Sequence, residues 1–302
     1  MRFSVWPNTD VKFNQLSATV EVSEQLGFFA AYLPDHLMPH GDGDVARGDV
    51  LESTAALAAL AAKTASIRLG ILVAAATFRH PAVYAKSICT IDQISGGRVI
   101  ARIGAGWQEN EHRSFGISLG STTERVDRFE EFVRVVASML TNELTSFSGD
   151  YFVLREAPCD PRPVQSPPPI LLGVRGRHRT MGIAARYATL WNAWSTPEQL
   201  VELNQTIDGW CERVGRPPAE LQRTVNAGPF LSDDESWLRA FRAHAPSGPA
   251  LVGGPEEVAE IVTRYRETNC DELILTFDTG MTTRHLDMLA MFMEQVVPMI
   301  DH

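Results

Sequence analysis

The chain has 302 residues, of which 44% are apolar and 21% are charged, and its formal net charge at pH 7 is −10. This composition allows a large buried core, whereas the acidic balance disfavours nucleic-acid binding, which needs a basic surface. A membrane span is not expected, because no run of about 18 apolar residues is present. A reduced, cytoplasmic setting is expected, because a long apolar signal segment and any Cys-x-x-Cys pair are missing from the sequence.

Apolar runs with the length of buried strands alternate with helix-like segments along the chain. Strands are predicted near residues 2–6, 28–33, 67–74, 98–104, 169–174, 189–194, 223–230 and 272–277. Helices are predicted near residues 11–27, 52–65, 80–95, 122–141, 177–188, 197–214, 255–268 and 284–299. Eight strands, each followed by a helix, are typical of an α/β fold of the (β/α)8 TIM-barrel type.

Two stretches interrupt the alternation, and we interpret both as insertions in a single barrel domain that spans residues 1–302. Residues 142–169 contain a predicted hairpin, in which 145–147 pairs with 151–153, followed by a proline-rich crossing. Residues 231–254 hold an acidic and aromatic segment that ends in glycines and prolines. A domain boundary within 142–169 is the alternative interpretation.

The helix predicted at 52–65 is small and apolar almost all the way round. An outer helix of a barrel normally presents a polar face to solvent. Something is therefore expected to cover this helix, and the partner subunit of a homodimer is the simplest candidate. Coverage by an insertion is the alternative.

The dipeptide Asp35-His36 directly follows the strand predicted at 28–33. Because α/β barrels keep their active sites at the carboxyl ends of the strands, this position favours a catalytic role. Imidazole exchanges protons near neutral pH with little tuning, so His36 is the candidate acid or base. A loop-capping role is one alternative. A metal site that adds His40 and Asp42 is disfavoured, because no further ligand motif accompanies it.

Two glycine-containing loops follow later strands. Residues 104–110 read GAGWQEN, in which the glycines permit close backbone approach, Trp107 offers a flat face, and Asn110 offers a donor and an acceptor. Residues 173–179 read GVRGRHR and lead into a helix N-terminus, where free N–H groups attract anions. Turn chemistry and a solvated helix start are the alternatives. The arginines of the second loop favour a phosphate-bearing cofactor.

Motifs for a protein nucleophile or a Rossmann dinucleotide site are missing from the sequence. A barrel with an anion-binding loop, an Asp-His pair and no nucleophile is typical of an enzyme whose cofactor carries the difficult chemistry.

A series of short motifs, taken in order, resembles the bacterial-luciferase-like family of flavin and deazaflavin oxidoreductases along nearly the whole chain. The motifs are PDHL (34–37), TFRHPAV (77–83), SGGRV (95–99), GAGW (104–107) with EH (111–112), FGI (115–117), ERVDR (124–128), AP (157–158), PVQ (163–165), AARYA (184–188) with WN (191–192), and GPEEV (254–258). The chain most resembles the branch that uses coenzyme F420, a deazaflavin.

The resemblance implies a cofactor in the barrel mouth. Members of the F420 branch end their second strand in an Asp-His pair, which Asp35 and His36 match. They commonly have a non-prolyl cis peptide under the cofactor ring, here near residues 72–74. The cofactor-binding residues that the resemblance implies are Asp35, Val73, Ala74, Gly106, Asn110, Gly173, Val174, Arg175, Gly176 and Arg177. His40 and Trp107 would line the substrate side.

The favoured hypothesis is therefore hydride transfer between F420 and a small organic substrate, with His36 moving the accompanying proton and Asp35 orienting it. An FMN-dependent luciferase-like monooxygenase and a non-catalytic flavin-binding protein are the alternatives. Sugar-phosphate dehydrogenases of this branch carry a glutamate in place of Trp107 and a tryptophan in place of His40, which disfavours that substrate. The usual Gly-Gly of the phosphate loop reads Gly173-Val174.

Overall fold

The computed structural model of the chain describes residues 1–40, 43, 45–174, 179–243, 248–277 and 282–300. The strands are β1 (Arg2–Trp6), β2 (Ala30–Leu33), β3 (Arg68–Ile71), β4 (Ala74–Ala75), β5 (Val99–Gly104), β6 (Leu144–Ser148), β7 (Val153–Pro158), β8 (Ile170–Gly173), β9 (Leu190–Trp194), β10 (Gln222–Leu231), β11 (Ala250–Gly253) and β12 (Glu272–Thr276). The α-helices are α1 (Phe13–Gln25), α2 (Ser53–Lys63), α3 (Pro81–Ser95), α4 (Glu109–Ser114), α5 (Thr122–Thr141), α6 (Arg179–Tyr187), α7 (Pro197–Arg213), α8 (Glu235–Arg242), α9 (Pro255–Glu267), α10 (Thr283–Met291) and α11 (Val297–Ile300). A π-helical turn, Phe292–Val296, joins α10 to α11.

A closed parallel barrel is formed by β1, β2, β3, β5, β8, β9, β10 and β12, and β12 pairs with β1 to complete the ring. The predicted (β/α)8 TIM barrel is thus confirmed, and each predicted strand has its counterpart. The predicted helices are also present, although the last one is divided by the π-helical turn. Helices cover the outside of the barrel, which explains why its strands read as continuous apolar runs. Within the described ranges, no helix is both long and apolar enough to cross a bilayer.

An ion pair lies inside the barrel. Arg102 on β5 and Glu272 on β12 are both fully buried, and their Nη2 and Oε1 atoms are 3.5 Å apart. The same Glu272 oxygen accepts hydrogen bonds from the hydroxyls of Tyr32 and Ser4, each at 2.7 Å. The Arg102 guanidinium lies 3.2 Å from the centroid of the Tyr32 ring. Burial lowers the pKa of Arg102 because it disfavours the charged form. The positive charge of Arg102 inside the barrel is therefore stabilised by the carboxylate of Glu272 and the ring of Tyr32.

The insertion between α5 and β8 forms an antiparallel hairpin of β6 and β7, as predicted. The second strand begins at Val153, two residues later than the sequence predicts. The Glu131 carboxylate of α5 accepts hydrogen bonds from the backbone N–H groups of residues 150–152, at 2.7–3.1 Å. Those amides are consequently engaged by α5, and the strand starts after them.

The hairpin packs against α3 at two further points. The Sγ atoms of Cys89 on α3 and Cys159 after β7 are 3.2 Å apart, and both side chains are buried. The ring of Phe152 meets the ring of His80 edge to face, with 5.3 Å between centroids. The insertion is therefore held against the helix that follows β4. The second insertion contains α8 and β11, and β11 pairs with the end of β10.

Removal of the buried carboxylate is expected to destabilise the barrel. In Glu272→Gln, Arg102 stays buried without a counter-charge, and the loss of one partner of a buried pair costs about 3–5 kcal/mol. Urea unfolding followed by circular dichroism measures the change in the free energy of unfolding. Glu198→Gln is the control, because it removes one partner of the exposed Arg264–Glu198 pair and should have little effect. Equal, small losses in the two variants would contradict the importance of the buried pair.

Candidate active site

A cavity of about 660 Å³ opens at the carboxyl ends of the barrel strands, where TIM barrels place their active sites. Its volume is typical of a small-molecule site. Residues in, at the end of or just after β1, β2, β3, β4, β5, β8, β9 and β10 form the wall, and these are Trp6, Asp35, His36, Leu72, Val73, Ala75, Phe78, Gly104, Ala105, Gly106, Trp107, Gln108, Gly173, Val174, Asn192, Trp194 and Asn226. Glu111, His112, Thr122, Val126 and Thr180 complete it. Most of the site residues predicted from the sequence therefore meet in one cavity.

Asp35 is buried and forms a bidentate ion pair with Arg79, at 2.5 and 2.8 Å. The backbone N–H of Ala75 also donates to its carboxylate, at 2.8 Å. Arg79 reaches Glu52 as well, at 2.6 Å. Although burial opposes the charge, hydrogen bonds and charge interactions with the two carboxylates raise the pKa of Arg79. Asp35 therefore joins the end of β2 to β4 and to the segment that leads into α3.

His36 lies in the cavity wall, and its Nδ1 atom is 3.2 Å from the carboxylate of Glu111 on α4. The same buried carboxylate accepts hydrogen bonds from the backbone N–H groups of Leu37 and Met38. Although burial opposes ionisation, the hydrogen bonds from His36, Leu37 and Met38 lower the pKa of Glu111. An ionised carboxylate only accepts hydrogen bonds, so Nδ1 of His36 carries a proton and Nε2 is left for a ligand.

This arrangement corrects the expectation that Asp35 orients His36. The carboxylate oxygens of Asp35 are engaged by Arg79 and Ala75, and the group that pairs with the imidazole is Glu111. Glu111 is 75 residues away from His36 in the chain, so dipeptide adjacency gave no sign of the contact. The EH motif at 111–112 includes Glu111, but the motif gave no indication that Glu111 pairs with His36.

The peptide bond between Leu72 and Val73 is cis, at the place where the sequence predicts such a bond. The Val73 side chain lies between two glycines at the ends of β5 and β8. A Cβ atom at Gly104 would stand 2.3 Å from one Val73 methyl group, and a Cβ at Gly173 would stand 2.8 Å from the other. Both positions therefore need glycine for the close approach of Val73, in addition to any contact with a ligand.

The loop between β5 and α4 is held by a chain of hydrogen bonds. Nδ1 of buried His112 donates to the carbonyl oxygen of Gln108, at 2.7 Å. Nε2 is then the acceptor, and the Thr77 hydroxyl donates to it at 2.8 Å. Gly106 has a φ of +82°, and a Cβ atom there would stand 2.5 Å from the Thr77 hydroxyl oxygen. The loop that carries Trp107 and Gln108 is thus fixed to the segment after β4.

Trp107 is 56% exposed and stands between two histidines at the rim of the cavity. Its ring meets His36 edge to face at 5.7 Å and packs at a tilt against His40 at 5.2 Å, measured between centroids. His40 is exposed and contacts Trp107 without reaching the cavity wall. The two residues predicted to line the substrate side are therefore neighbours, and Trp107 is the one that borders the cavity.

Some predicted residues are placed elsewhere. The Asn110 side chain donates to the carbonyl oxygen of Gly43 at 2.6 Å and accepts from the N–H of Glu111 at 2.9 Å, and the residue is not part of the cavity wall. Ala74 is buried in β4 behind the wall. Arg175, Gly176 and Arg177 lie outside the described residues. In the described part of the chain, no cluster of three His, Cys, Asp or Glu side chains could hold a metal ion.

Comparisons with known proteins agree with this geometry. The family profile described as luciferase-like monooxygenase matches residues 1–245. The chain is 28% identical over 228 residues to the F420-dependent hydroxymycolic acid dehydrogenase of Mycobacterium tuberculosis, a match that covers 75% of this chain and 62% of that protein. It is 27% identical over 176 residues to the FMNH2-dependent dimethylsulfone monooxygenase of Pseudomonas putida, with 58% of this chain and 48% of that protein covered. The chain thus spans less than two thirds of the length of these two relatives.

The fold is similar to that of the coenzyme F420-dependent tetrahydromethanopterin reductase of Methanopyrus kandleri. The TM-score is 0.82 over 98% of each chain, at 17% sequence identity. At this identity the likeness concerns the barrel alone.

Replacement of the buried carboxylate at the mouth should change the acid sensitivity of the protein. A group whose pKa is lowered by folding stabilises the folded state above its ordinary pKa, and that stability is lost as the pH falls through the lowered value. Glu111→Gln should therefore lower the free energy of unfolding by about 1–3 kcal/mol at neutral pH. The difference from the wild type should shrink as the pH falls below the ordinary value of 4.5.

Urea unfolding at several pH values measures this dependence. Glu109→Gln is the matched control, because Glu109 is an exposed glutamate on the same helix. A constant difference between Glu111→Gln and the wild type at all pH values would contradict the assignment of an ionised, paired carboxylate.

Proposed function

The chain belongs to the luciferase-like monooxygenase family and is an F420- or flavin-dependent oxidoreductase; from this premise we propose that its cofactor is F420. The proposed reaction is hydride transfer between the deazaflavin and a small organic substrate. The observation that carries the proposal is His36, an imidazole in the wall of a 660 Å³ cavity with Nδ1 fixed by an ionised glutamate.

The cavity fits a flat heterocycle with polar edges. Leu72, Val73 and Phe78 supply apolar surface, and the buried Gln108 side chain has an amide nitrogen and an amide oxygen without partners in the described structure. A deazaflavin, when bound, supplies the carbon that accepts or donates the hydride. The chain's own contribution is to position both reactants and to move a proton, which accounts for much of the catalysis in such a site.

His36 is the proposed proton carrier. Glu111 holds the Nδ1–H group, so Nε2 is the atom that takes a proton from the substrate in one direction and returns it in the other. The negative charge of Glu111 stabilises the imidazolium that forms when the proton is taken. Asp35 is proposed as a positioning residue, because it joins the end of β2 to β4 through Ala75 and to the segment before α3 through Arg79.

We also propose roles for the other site residues that the sequence predicts. Trp107, with His40 behind it, would border the substrate at the rim. Gly173 and Val174 in the cavity wall would begin the phosphate-binding loop, and residues 175–177 would continue it. Arginines in that loop suit a phosphate and the further acidic tail of F420.

Titration of the purified protein with F420 and, separately, with FMN tests the choice of cofactor. Changes in ligand fluorescence report binding. We expect saturable binding of F420 at concentrations at which FMN binds weakly. A preference for FMN would contradict the proposal and favour an FMN-dependent monooxygenase, with oxygen consumption as the next assay. Failure of both cofactors to bind would overturn the cofactor-dependent reaction as a whole.

Replacement of His36 should separate binding from turnover. His36→Ala removes the proton carrier, and general acid–base catalysis typically contributes about 10²–10⁴-fold to the rate. We expect a fall in kcat of that order with F420 affinity changed by less than about threefold. The matched control is His285→Gln: His285 lies on α10 outside the described cavity wall, and glutamine at this position can also accept the N–H of Thr282 that the His285 ring accepts. Full activity of His36→Ala would contradict the assignment.

A homodimer is also proposed. A groove of about 680 Å³ runs along the outer face of α2 and α3 and the end of β7, and its lining includes Ala55, Ala58, Val83 and Ala157. Val83 is 60% exposed at this surface. The outward side chains of α2 are mostly alanine, as the sequence indicates. An exposed apolar face of this kind suits burial against a second copy of the chain.

A charge in this groove should separate the subunits. Val83→Asp would place a carboxylate in a surface that is apolar in both copies, so we expect the molar mass measured by light scattering to fall from that of a dimer to that of a monomer. Val201→Asp is the matched control, because Val201 is exposed on α7, away from the groove. A monomeric wild type, or a dimeric Val83→Asp variant, would contradict the proposed interface.

A further inference from the structure

The buried side chain of Gln108 has no hydrogen-bond partner among the residues that the structure describes. The residue is 4% exposed and lies in the cavity wall, and neither its Nε2 nor its Oε1 atom is paired in the part of the chain that the structure describes. A primary amide carries two donors and one acceptor. An unpaired buried polar group costs about 1–3 kcal/mol, so such groups in folded proteins are normally satisfied. A ligand in the cavity is the natural source of the missing partner.

The backbone that carries this side chain is fixed. Gln108 precedes the first residue of α4, and its carbonyl oxygen accepts the hydrogen bond from the His112 ring. The His112 ring is in turn bonded to Thr77, against which Gly106 packs. The Gln108 amide is therefore presented from a rigid base, as a recognition group should be.

The neighbouring amide does not compete for this role. Asn110 is turned toward Gly43 and lies outside the cavity wall. The amide of this loop that lies in the cavity wall is two residues earlier, at Gln108. Trp107, the residue directly before Gln108, is largely exposed, whereas Gln108 is almost completely buried. Gln108 is therefore the more enclosed of these two wall residues.

A carboxamide pairs best with a neutral edge that offers a donor next to an acceptor. Phosphates and carboxylates offer acceptors only and are better bound by arginine. A cyclic imide, in which N–H lies between two carbonyl groups, satisfies both amide atoms at once. Flavins and deazaflavins both carry this edge in their pyrimidinedione ring.

We propose that Gln108 positions the cofactor by pairing with the N3–H group and an adjacent carbonyl of its pyrimidinedione ring. The proposal rests on the function proposed above. Because the edge is common to F420 and FMN, Gln108 orients the ring without choosing between the two cofactors. The choice must then be made by other contacts, such as those with the tail.

The test combines a change in the ligand with a change in the protein. The probes are whichever of F420 and FMN the wild type binds, and the N3-methyl derivative of that cofactor. N3-methylation removes the donor, so we expect wild-type affinity to fall at least tenfold, which corresponds to about 1.4 kcal/mol. Gln108→Leu should bind the parent cofactor about tenfold more weakly than the wild type and should no longer distinguish it from the methyl derivative.

The controls separate the possible failures. Gln205→Leu changes an exposed glutamine on α7 and should match the wild type with both probes. Equal wild-type affinity for the two probes would overturn the role of Gln108, and this comparison needs no variant to fold. Undiminished discrimination by Gln108→Leu would overturn it as well. Failure of the wild type to bind F420 and FMN would instead overturn the proposed function, together with the inference that depends on it.

Discussion

A buried carboxylate must be paired on every side, and Glu111 meets this requirement by joining the end of β2 to α4. Its carboxylate accepts hydrogen bonds from the backbone N–H groups of Leu37 and Met38 and from the imidazole of His36. Asp35, one residue before His36, makes the equivalent connection to β4 through the N–H of Ala75 and to the segment before α3 through Arg79. The imidazole is thus held between two anchored neighbours in the chain, and the cavity keeps its shape because both carboxylates are saturated by the protein itself.

The barrel was predictable because its signal is local and repeated. Each strand is a run of apolar residues that the next helix covers, so eight such runs predict the fold without knowledge of any single contact. The hairpin was predicted for the same reason, but its second strand starts later because Glu131, on a different element, takes the intervening amides. That displacement depends on a side chain about twenty residues away, which the local pattern does not contain.

The site was predicted less completely than the fold. Strand ends located Asp35, His36, Val73, Gly106, Trp107 and Gly173 in one cavity, since position at a strand end is itself local information. The partners of these residues were harder to predict. The pairing of His36 with Glu111 crosses 75 residues, and of the two amides in the loop between β5 and α4, Asn110 is bonded to Gly43 whereas Gln108 lies in the cavity wall. Sequence spacing places both amides in the same loop and cannot tell their directions apart.

The hairpin of β6 and β7 stands outside the barrel, yet it bears on the wall of the cavity. Phe152 touches His80, which caps α3. Of the two residues immediately before His80, Phe78 lines the cavity and Arg79 holds Asp35. The Cys89–Cys159 contact fixes the hairpin to the same helix further along. The insertion therefore supports the cavity wall from outside, and substitutions in it should alter the positions of residues at the carboxyl ends of the barrel strands.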